Sequence, residues 1–196
     1  MGRRPLLVVG GLVAVALAAG SWVMRRNAFP PDATPEGAYA RIAYAVGQQR
    51  IGDAFAYLET DAQWAAWSVR DLRRKARDRV RASYPADAAK PLLDAWGPAA
   101  DASDGADVFA WMATTRGWVA RLERDTSGVA HVEIAGERAT VVTARGTRYP
   151  FRRRDNGIWG LTIFTAELAS EAERAARDLE IVQRAAADYE RAAADR

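Results

Sequence analysis

The chain has 196 residues, of which 49% are hydrophobic and 27% charged, the balance of a globular domain with room for short appendages. It contains no cysteine and a single histidine, which excludes disulfides, thiolate nucleophiles and lipoprotein-type acylation and disfavours zinc ligation. The net charge of +3 is mild, although a pI of about 9.5 leaves anionic partners open. We therefore expect neither a metal site nor a cofactor.

Residues 1–26 have the features of a membrane anchor or a signal segment. Residues 5–24 carry no charge and form a mostly apolar run, which as a helix would measure roughly 30 Å, the thickness of a bilayer core. Trp22 lies near one end of the run, where an aromatic ring favours the membrane interface. The small residues 18–21 would suit a signal peptidase, but the apolar run continues to Met24, which favours an uncleaved anchor.

The orientation of this segment is left open by its flanking charges, because Arg3 and Arg4 are matched by Arg25 and Arg26. A short N-terminal tail usually stays in the cytoplasm. We therefore expect a single-pass protein of the bacterial inner membrane with the bulk of the chain in the periplasm. Residues 27–33, which contain Pro30-Pro31, read as a short, stiff linker to the main domain.

The first half of the predicted domain, residues 34–164, is helical. Thr34 caps a helix that ends near Gly47, a short second helix follows Gly52-Asp53, and a third helix runs until Pro85. A capping box formed by Thr60 and Gln63 is expected to open that third helix. Beyond it, two short helices are predicted, one around Trp96 and one from Val108 to Trp118, with a polar loop over residues 101–107 between them.

From Val129 onward the apolar residues alternate, which predicts four antiparallel strands in a meander. Pro150 favours an edge position or a bulge for the third strand. Residues 165–196 predict one long helix with a heptad seam. The seam consists of Leu168, Ala172, Ala175, Leu179, Val182, Ala186, Tyr189 and Ala193. It would serve either a homo-oligomer or packing on its own domain, and its many alanines favour the second.

Two stretches resemble a known superfamily. Residues 34–39 (TPEGAY) and 51–58 (IGDAFAYL) are similar to the opening of bacterial nuclear transport factor 2-like (SnoaL-like) domains. Residues 134–142 (IAGERATVV), 149–151 (YPF) and 156–159 (NGIW) resemble the closing sheet of the same domains. The resemblance implies an α+β cone, with N-terminal helices packed on a curved four-stranded antiparallel sheet. It implies no particular activity, because the superfamily includes enzymes, binding modules and structural modules.

Three groups of side chains are candidates for function. His131 lies on a strand and alternates away from the Val132 face, which favours a surface histidine over a catalytic base, so no catalytic residue is assigned.

A basic stripe on the third helix is a candidate surface for anionic lipid headgroups or an acidic partner, the alternative being a solvated helix face. Its members are Arg70, Arg73, Arg74, Arg77 and Arg81.

Five tryptophans are candidates for lining a ligand pocket, the simpler alternative being core packing. They are Trp64, Trp67, Trp111, Trp118 and Trp159.

These features favour a non-enzymatic, membrane-anchored domain of the cell envelope that binds or scaffolds another protein. A small-molecule or lipid-binding domain is the alternative, followed by a hydrolase or isomerase of the resembled superfamily. Nucleic acid would fit the charge but not an exported domain, so we expect no nucleic-acid partner.

Overall fold

The structure, a computed structural model, describes residues 29–195 and has an α+β architecture. Its helices are α1 (Pro35–Gly47), a 3₁₀ helix (Ile51–Tyr57), α2 (Thr60–Ser83), α3 (Ala86–Ala100), α4 (Gly105–Thr115), α5 (Trp118–Asp125) and α6 (Thr165–Ala194). Its strands are β1 (Val129–Ala135), β2 (Arg138–Thr143), β3 (Arg148–Arg153) and β4 (Trp159–Leu161). Within residues 29–195 no helix is both long and apolar enough to cross a membrane. The predicted span over residues 5–24 lies outside the described residues.

Helix α1 begins as its sequence predicts. The hydroxyl of Thr34 accepts a hydrogen bond of 3.1 Å from the backbone N–H of Gly37, and Pro35 occupies the first helical position. Tyr39 and Ile42 are buried on the face turned towards the sheet. The Tyr39 hydroxyl donates to the carbonyl of Ser127 at 2.7 Å, which fixes α1 to the segment that enters the sheet.

The four strands form the predicted antiparallel meander, in the order β1-β2-β3-β4. Ala139 and Val141 of β2 face the core, as do Tyr149 and Phe151 of β3, each pair two positions apart on its strand. Trp118 stacks on Phe164 at 4.6 Å in the same core. One sheet face and the helices above it therefore share a single apolar interior.

The expectation that Pro150 marks an edge strand or a bulge is wrong, because β3 lies between β2 and β4. Pro150 pairs with Thr140 on the β2 side, and its carbonyl accepts from the N–H of Thr162 on the other side. In an antiparallel strand the N–H and C=O of one residue point to the same neighbour. The N–H that proline lacks would therefore point to the β4 side of β3, where β4 has already ended at Leu161. Its absence thus removes no hydrogen bond between β3 and β4.

The start of α2 also differs from the prediction. Glu59, not Thr60, occupies the N-cap position, and no side chain caps the helix there. Gln63 turns away from the helix end, and its amide N–H₂ donates to the carbonyl of Phe55 at 2.7 Å. Its amide oxygen accepts from Arg154 at 3.0 Å. The Gln63 side chain therefore binds the 3₁₀ helix and Arg154, the arginine after β3, and is not available for a capping box.

The middle of the chain contains three helices where two were expected. Gly117 has φ +70°, in the left-handed region that favours glycine, and it separates α4 from α5. Trp118 therefore begins a new helix instead of ending the one that contains Val108. The polar loop is shorter than predicted, since α3 continues to Ala100 and α4 begins at Gly105.

Helix α6 lies along α2, which is the most extensive contact between elements in the described chain. Leu168, Ala175, Val182 and Ala186 of the heptad seam are buried. Tyr189, further along the seam, packs on Tyr84 with ring centres 4.8 Å apart. Because this seam packs within the chain, a homo-oligomer through α6, which stays a prediction, would need another face of the helix.

Candidate functional site

The basic stripe of α2 is largely occupied by contacts within the chain. Arg74 donates to the carbonyls of Ala100 at 3.2 Å and Ala102 at 3.1 Å, at the C-terminal end of α3. Arg70 also donates to Ala102, at 3.0 Å, and Arg77 donates to Ala100, at 3.2 Å. Cations at a helix C-terminus interact favourably with the helix dipole and with carbonyls that have no partner in the helix. These three arginines therefore bind the end of α3.

Arg73 is buried in an ion cluster between α2 and α6. The Arg73 side chain is only 6% exposed, and it donates to Glu171 at 3.0 Å and to Asp178 at 2.5 Å. Arg116 donates to the second carboxylate oxygen of Glu171 at 2.6 Å. The indole of Trp96 lies against the Arg73 guanidinium, with 5.1 Å between the guanidinium carbon and the ring centre. Of the five arginines predicted as a surface, Arg81 is exposed and Arg73 is buried.

The candidate tryptophans do not come together around one pocket. Trp118 and Trp159 are buried in the core, and the Trp159 N–H donates to the carbonyl of Ala33 at 3.1 Å. Trp111 is half-buried on α4. Trp64 and Trp67 are exposed on the first turns of α2, with 67% and 36% of their surfaces accessible.

Trp64 and Trp67 form the largest exposed aromatic feature of α2, and we call it the Trp64–Trp67 surface. The two residues are three positions apart and therefore share one face of the helix. The Trp67 ring packs over Gly105 at the start of α4, and Arg70 lies over the same ring at 5.2 Å. Trp67 is thus held in place by its neighbours, while Trp64 projects from the surface. Exposed Ser68 lies one turn after Trp64 on the same face.

His131 lies on the outer face of the sheet, as its strand position predicts. Its side chain is 58% exposed, and its Nε2 lies 3.4 Å from a carboxylate oxygen of Glu133. Arg148 donates to both oxygens of Glu133, which lowers the pKa of that carboxyl. The carboxylate is therefore engaged by an arginine on an open face, which is poor geometry for a general base.

A second polar feature, which the sequence did not suggest, is a cleft of about 200 Å³ beside Tyr149, here called the Tyr149 cleft. Its lining includes Arg121, Leu122, Asp125, Arg148, Tyr149 and Ile163. Tyr149 is 4% exposed, and its hydroxyl has no hydrogen-bond partner in residues 29–195. Burial raises the pKa of Tyr149 to about 12, with smaller effects from Tyr39 and Asp125, while Arg121 and Arg124 lower it.

Strand alternation could predict that Tyr149 faces inwards. It could not predict that the buried hydroxyl would lack a hydrogen-bond partner, because its neighbours Arg121, Asp125 and Tyr39 lie 24 or more residues away in the chain. In the described part of the chain no group of three or more acidic or histidine side chains is placed to hold a metal ion. No family model, curated protein or solved structure matches the chain.

Proposed function

We propose that this chain is a non-enzymatic protein of the bacterial cell envelope, anchored in the inner membrane by residues 5–24, that binds or scaffolds another protein through the Trp64–Trp67 surface. The bulk of the chain lies in the periplasm and has the cone of nuclear transport factor 2-like domains. The α+β order of helices followed by a four-stranded antiparallel meander is compatible with that cone.

The exposure of Trp64 is the observation that carries the binding proposal. An indole that is 67% accessible to water on a well-packed helix contributes little to folding. Tryptophan and arginine are also the side chains most enriched among the residues that dominate protein–protein binding energy. Trp67 and Arg70, already ordered against α4, would lose little conformational entropy when a partner covers them.

A protein partner fits this surface better than anionic lipid does. Four of the five arginines that would attract lipid headgroups bind the end of α3 or the buried carboxylates of α6, which leaves Arg81 as the exposed one. Exposed Asp61 lies beside the indoles and would repel an anionic membrane, and Asp71 pairs with Arg70 at 3.0 Å, which further reduces the positive charge offered to a headgroup. We therefore expect an apolar recess on the partner that accepts Trp64, with a polar or basic rim around it.

The short connection to the proposed anchor limits where that partner lies. Residues 24 and 29 can be at most about 17 Å apart, at roughly 3.5 Å per residue. Phe29 is fixed to α1, with its ring centre 5.3 Å from that of Tyr44 and 5.6 Å from the Arg41 guanidinium carbon. If residues 5–24 span the membrane, α1 lies close to the bilayer surface, so the partner must reach the Trp64–Trp67 surface within one domain's width of the membrane.

The absence of cysteine allows a site-specific test in the natural host. Ser68→Cys places a single thiol beside Trp64, to which a photoactivatable crosslinker can be attached in the membrane-bound protein. We expect one protein, or a small defined set, to be crosslinked from this position. Trp64→Ala in the same background removes the hot-spot side chain and should reduce the yield at least tenfold.

Ser170→Cys is the matched control, because Ser170 is also exposed but lies on α6. Equal crosslinking from both positions, or a yield that Trp64→Ala leaves unchanged, would contradict binding through the Trp64–Trp67 surface. Circular dichroism of the Trp64→Ala protein confirms that the fold is retained, as expected for an exposed side chain.

A further inference from the structure

We propose that a groove around Glu59, where the start of α2 meets the sheet, binds a small zwitterion of the α-amino acid type. This groove, here called the Glu59 groove, consists of two clefts of about 260 Å³ and about 360 Å³, both of which are lined by Glu59 and Arg152. The carboxylate of Glu59 receives the ammonium group of the ligand, and Arg152 with Arg138 holds its carboxylate.

Close backbone packing holds Glu59 in the groove. Gly160 of β4 has no side chain, and a Cβ at this position would lie 2.5 Å from the Cα of Glu59. The N–H of Glu59 donates to the carbonyl of Leu161 at 3.2 Å, which fixes the residue to β4 immediately before α2 begins. Gly160 is also the partner of Arg152 across the β3–β4 pair. Glu59 and Arg152 are therefore held on either side of one glycine.

The Glu59 carboxylate is buried without a cation. Glu59 is only 7% exposed, but it takes part in none of the ion pairs of residues 29–195. One of its oxygens accepts from the Thr165 hydroxyl at the start of α6, and the other accepts no hydrogen bond from these residues. In the described chain, the fully enclosed side-chain polar atoms without a partner belong to Tyr149 and Arg154. The second oxygen of Glu59 is therefore open to the groove. Because a glutamate this deeply buried is almost always paired, the open oxygen points to a cationic group on a ligand.

Arg138 and Arg152 form a pair of like charges on the face of the sheet turned away from the core. They lie directly opposite each other on β2 and β3, both are exposed, and neither belongs to an ion pair within residues 29–195. The backbone carbonyl of Pro150 points to the β4 side of β3, and so do the backbone groups of Arg152, two residues later. No backbone hydrogen bond therefore joins Arg152 to Arg138, which is the arrangement that brings opposite side chains closest. Like charges directly opposite destabilise a sheet, and a carboxylate bound between the two guanidinium groups offsets their repulsion.

The separation of these charges selects a zwitterion over a simple anion or cation. Glu59 and Arg152 line the same two clefts, but their charged groups form no ion pair with each other. A ligand whose ammonium and carboxylate groups are joined through a single carbon can contact both at once. A cavity of about 150 Å³ in another protein holds a benzene molecule. The larger cleft, at about 360 Å³, therefore has room for an amino acid with an aliphatic or aromatic side chain.

The test compares amino acids with analogues that lack one of the two charges. The full-length protein in mild detergent is titrated with glycine, leucine, phenylalanine and glutamate by isothermal titration calorimetry. The amino acid that binds best is then compared with its N-acetyl derivative, which lacks the ammonium group, and with its amide, which lacks the carboxylate. We expect saturable binding of at least one amino acid, and binding of both analogues that is weaker by about tenfold or more. No saturable binding of any of the four, or an analogue that binds as well as its amino acid, overturns the proposal.

Two variants locate the site. Glu59→Gln and Arg152→Gln should each weaken binding of the preferred amino acid by about 10- to 100-fold, from the usual strength of hydrogen bonds to charged groups. Glu59→Gln retains an oxygen that can accept from Thr165, so the contact with α6 is kept. Unchanged binding by Glu59→Gln would show that this carboxylate serves α6 alone, and unchanged binding by Arg152→Gln would place the ligand elsewhere. Either result overturns the proposal.

Arg184→Gln, at an exposed arginine on α6, is the control and should leave the affinity unchanged. Circular dichroism verifies the fold of each variant. If Glu59→Gln does not fold, Arg138→Gln, at an exposed position, takes its place and must weaken binding by a similar factor. Ligand binding is measured without the partner proposed for the Trp64–Trp67 surface. Its failure leaves the crosslinking from Ser68→Cys as it stands, so the two proposals fail separately.

Discussion

Arg73 is the basic side chain of α2 that is most strongly tied to the fold. It bridges Glu171 and Asp178, 98 and 105 residues further along the chain, at a side-chain exposure of 6%. Removing one partner of a buried ion cluster costs about 3–5 kcal/mol in general, and about 3 kcal/mol is expected here because Arg116 still pairs with Glu171. We predict that Arg73→Met lowers the free energy of unfolding in urea by that amount. Arg81→Met, on the same helix but exposed, should change it by less than about 0.5 kcal/mol. Equal effects of the two changes would show that the cluster does not stabilise the protein.

Tyr149 gives a stability effect that depends on pH. Because its pKa is raised to about 12 in the folded protein, the unfolded chain ionises first as pH rises above 10. Burial disfavours the phenolate in the folded protein, so stability is unaffected below pH 10 and falls between pH 10 and 12, by on the order of 3 kcal/mol at about 1.4 kcal/mol per pKa unit. We predict that Tyr149→Phe reduces this alkaline loss and at pH 7 is as stable as the unchanged protein, or more so, since it also removes a hydroxyl without a partner. Urea unfolding at pH 7, 10 and 11.5 measures both effects, and an unchanged alkaline slope would be the contrary result.

The arginines that bind α3 lead to a prediction for a whole element. Arg74 donates to two carbonyls at the C-terminus of α3, a helix that contains Pro91 and Pro98 and buries only a few side chains. We predict that Arg74→Met accelerates amide hydrogen exchange in α3 by about tenfold, equivalent to about 1.4 kcal/mol, while exchange in β2 changes much less. Lys75→Met, at the exposed neighbouring position, is the control. Faster exchange throughout the chain would indicate global destabilisation instead of local release of α3.

Elements with a regular apolar pattern were predictable from the sequence, and elements defined by distant contacts were not. Helices α1 and α6 follow from an apolar period of 3.6 residues, because each buries one continuous face. The four strands follow from the period of 2, although β1 is exposed apart from half-buried Val132. Helix α3 buries few side chains. Helix α4 buries a regular face that includes Val108 and Met112, and because this apolar spacing continues to Trp118, it concealed the boundary at Gly117. The roles of Gln63 and Arg74 depend on the positions of Phe55, Arg154 and the end of α3 in space, which no local pattern records.

At the scale of the whole molecule, α2 contributes both to the packed interior and to the exposed surface. The N-terminal turns of α2 carry the Trp64–Trp67 surface, while its later turns pack on α6 and α3. The Tyr149 cleft is built from α5 and β3 instead. The sequence suggested five tryptophans as one group of pocket candidates, but only the fold distinguishes buried Trp118 from exposed Trp64. The difference arises from which face of each helix meets the common core.

The proposed membrane topology of the whole molecule can be tested by labelling introduced thiols, because the natural chain contains no cysteine. If residues 5–24 form an uncleaved span with the domain in the periplasm, a thiol at Ser170→Cys is outside the cytoplasm and a thiol at Gly2→Cys is inside it. A membrane-impermeant maleimide should label the first in intact spheroplasts and the second only after lysis. The protein should also stay in the membrane pellet after alkaline carbonate extraction.

Labelling in the reverse order would place the domain in the cytoplasm, where nucleic acid again becomes a partner compatible with its basic pI. Release of the labelled domain from the pellet, with loss of the Gly2→Cys site, would instead indicate cleavage near residues 18–21 and remove the constraint that holds α1 at the bilayer.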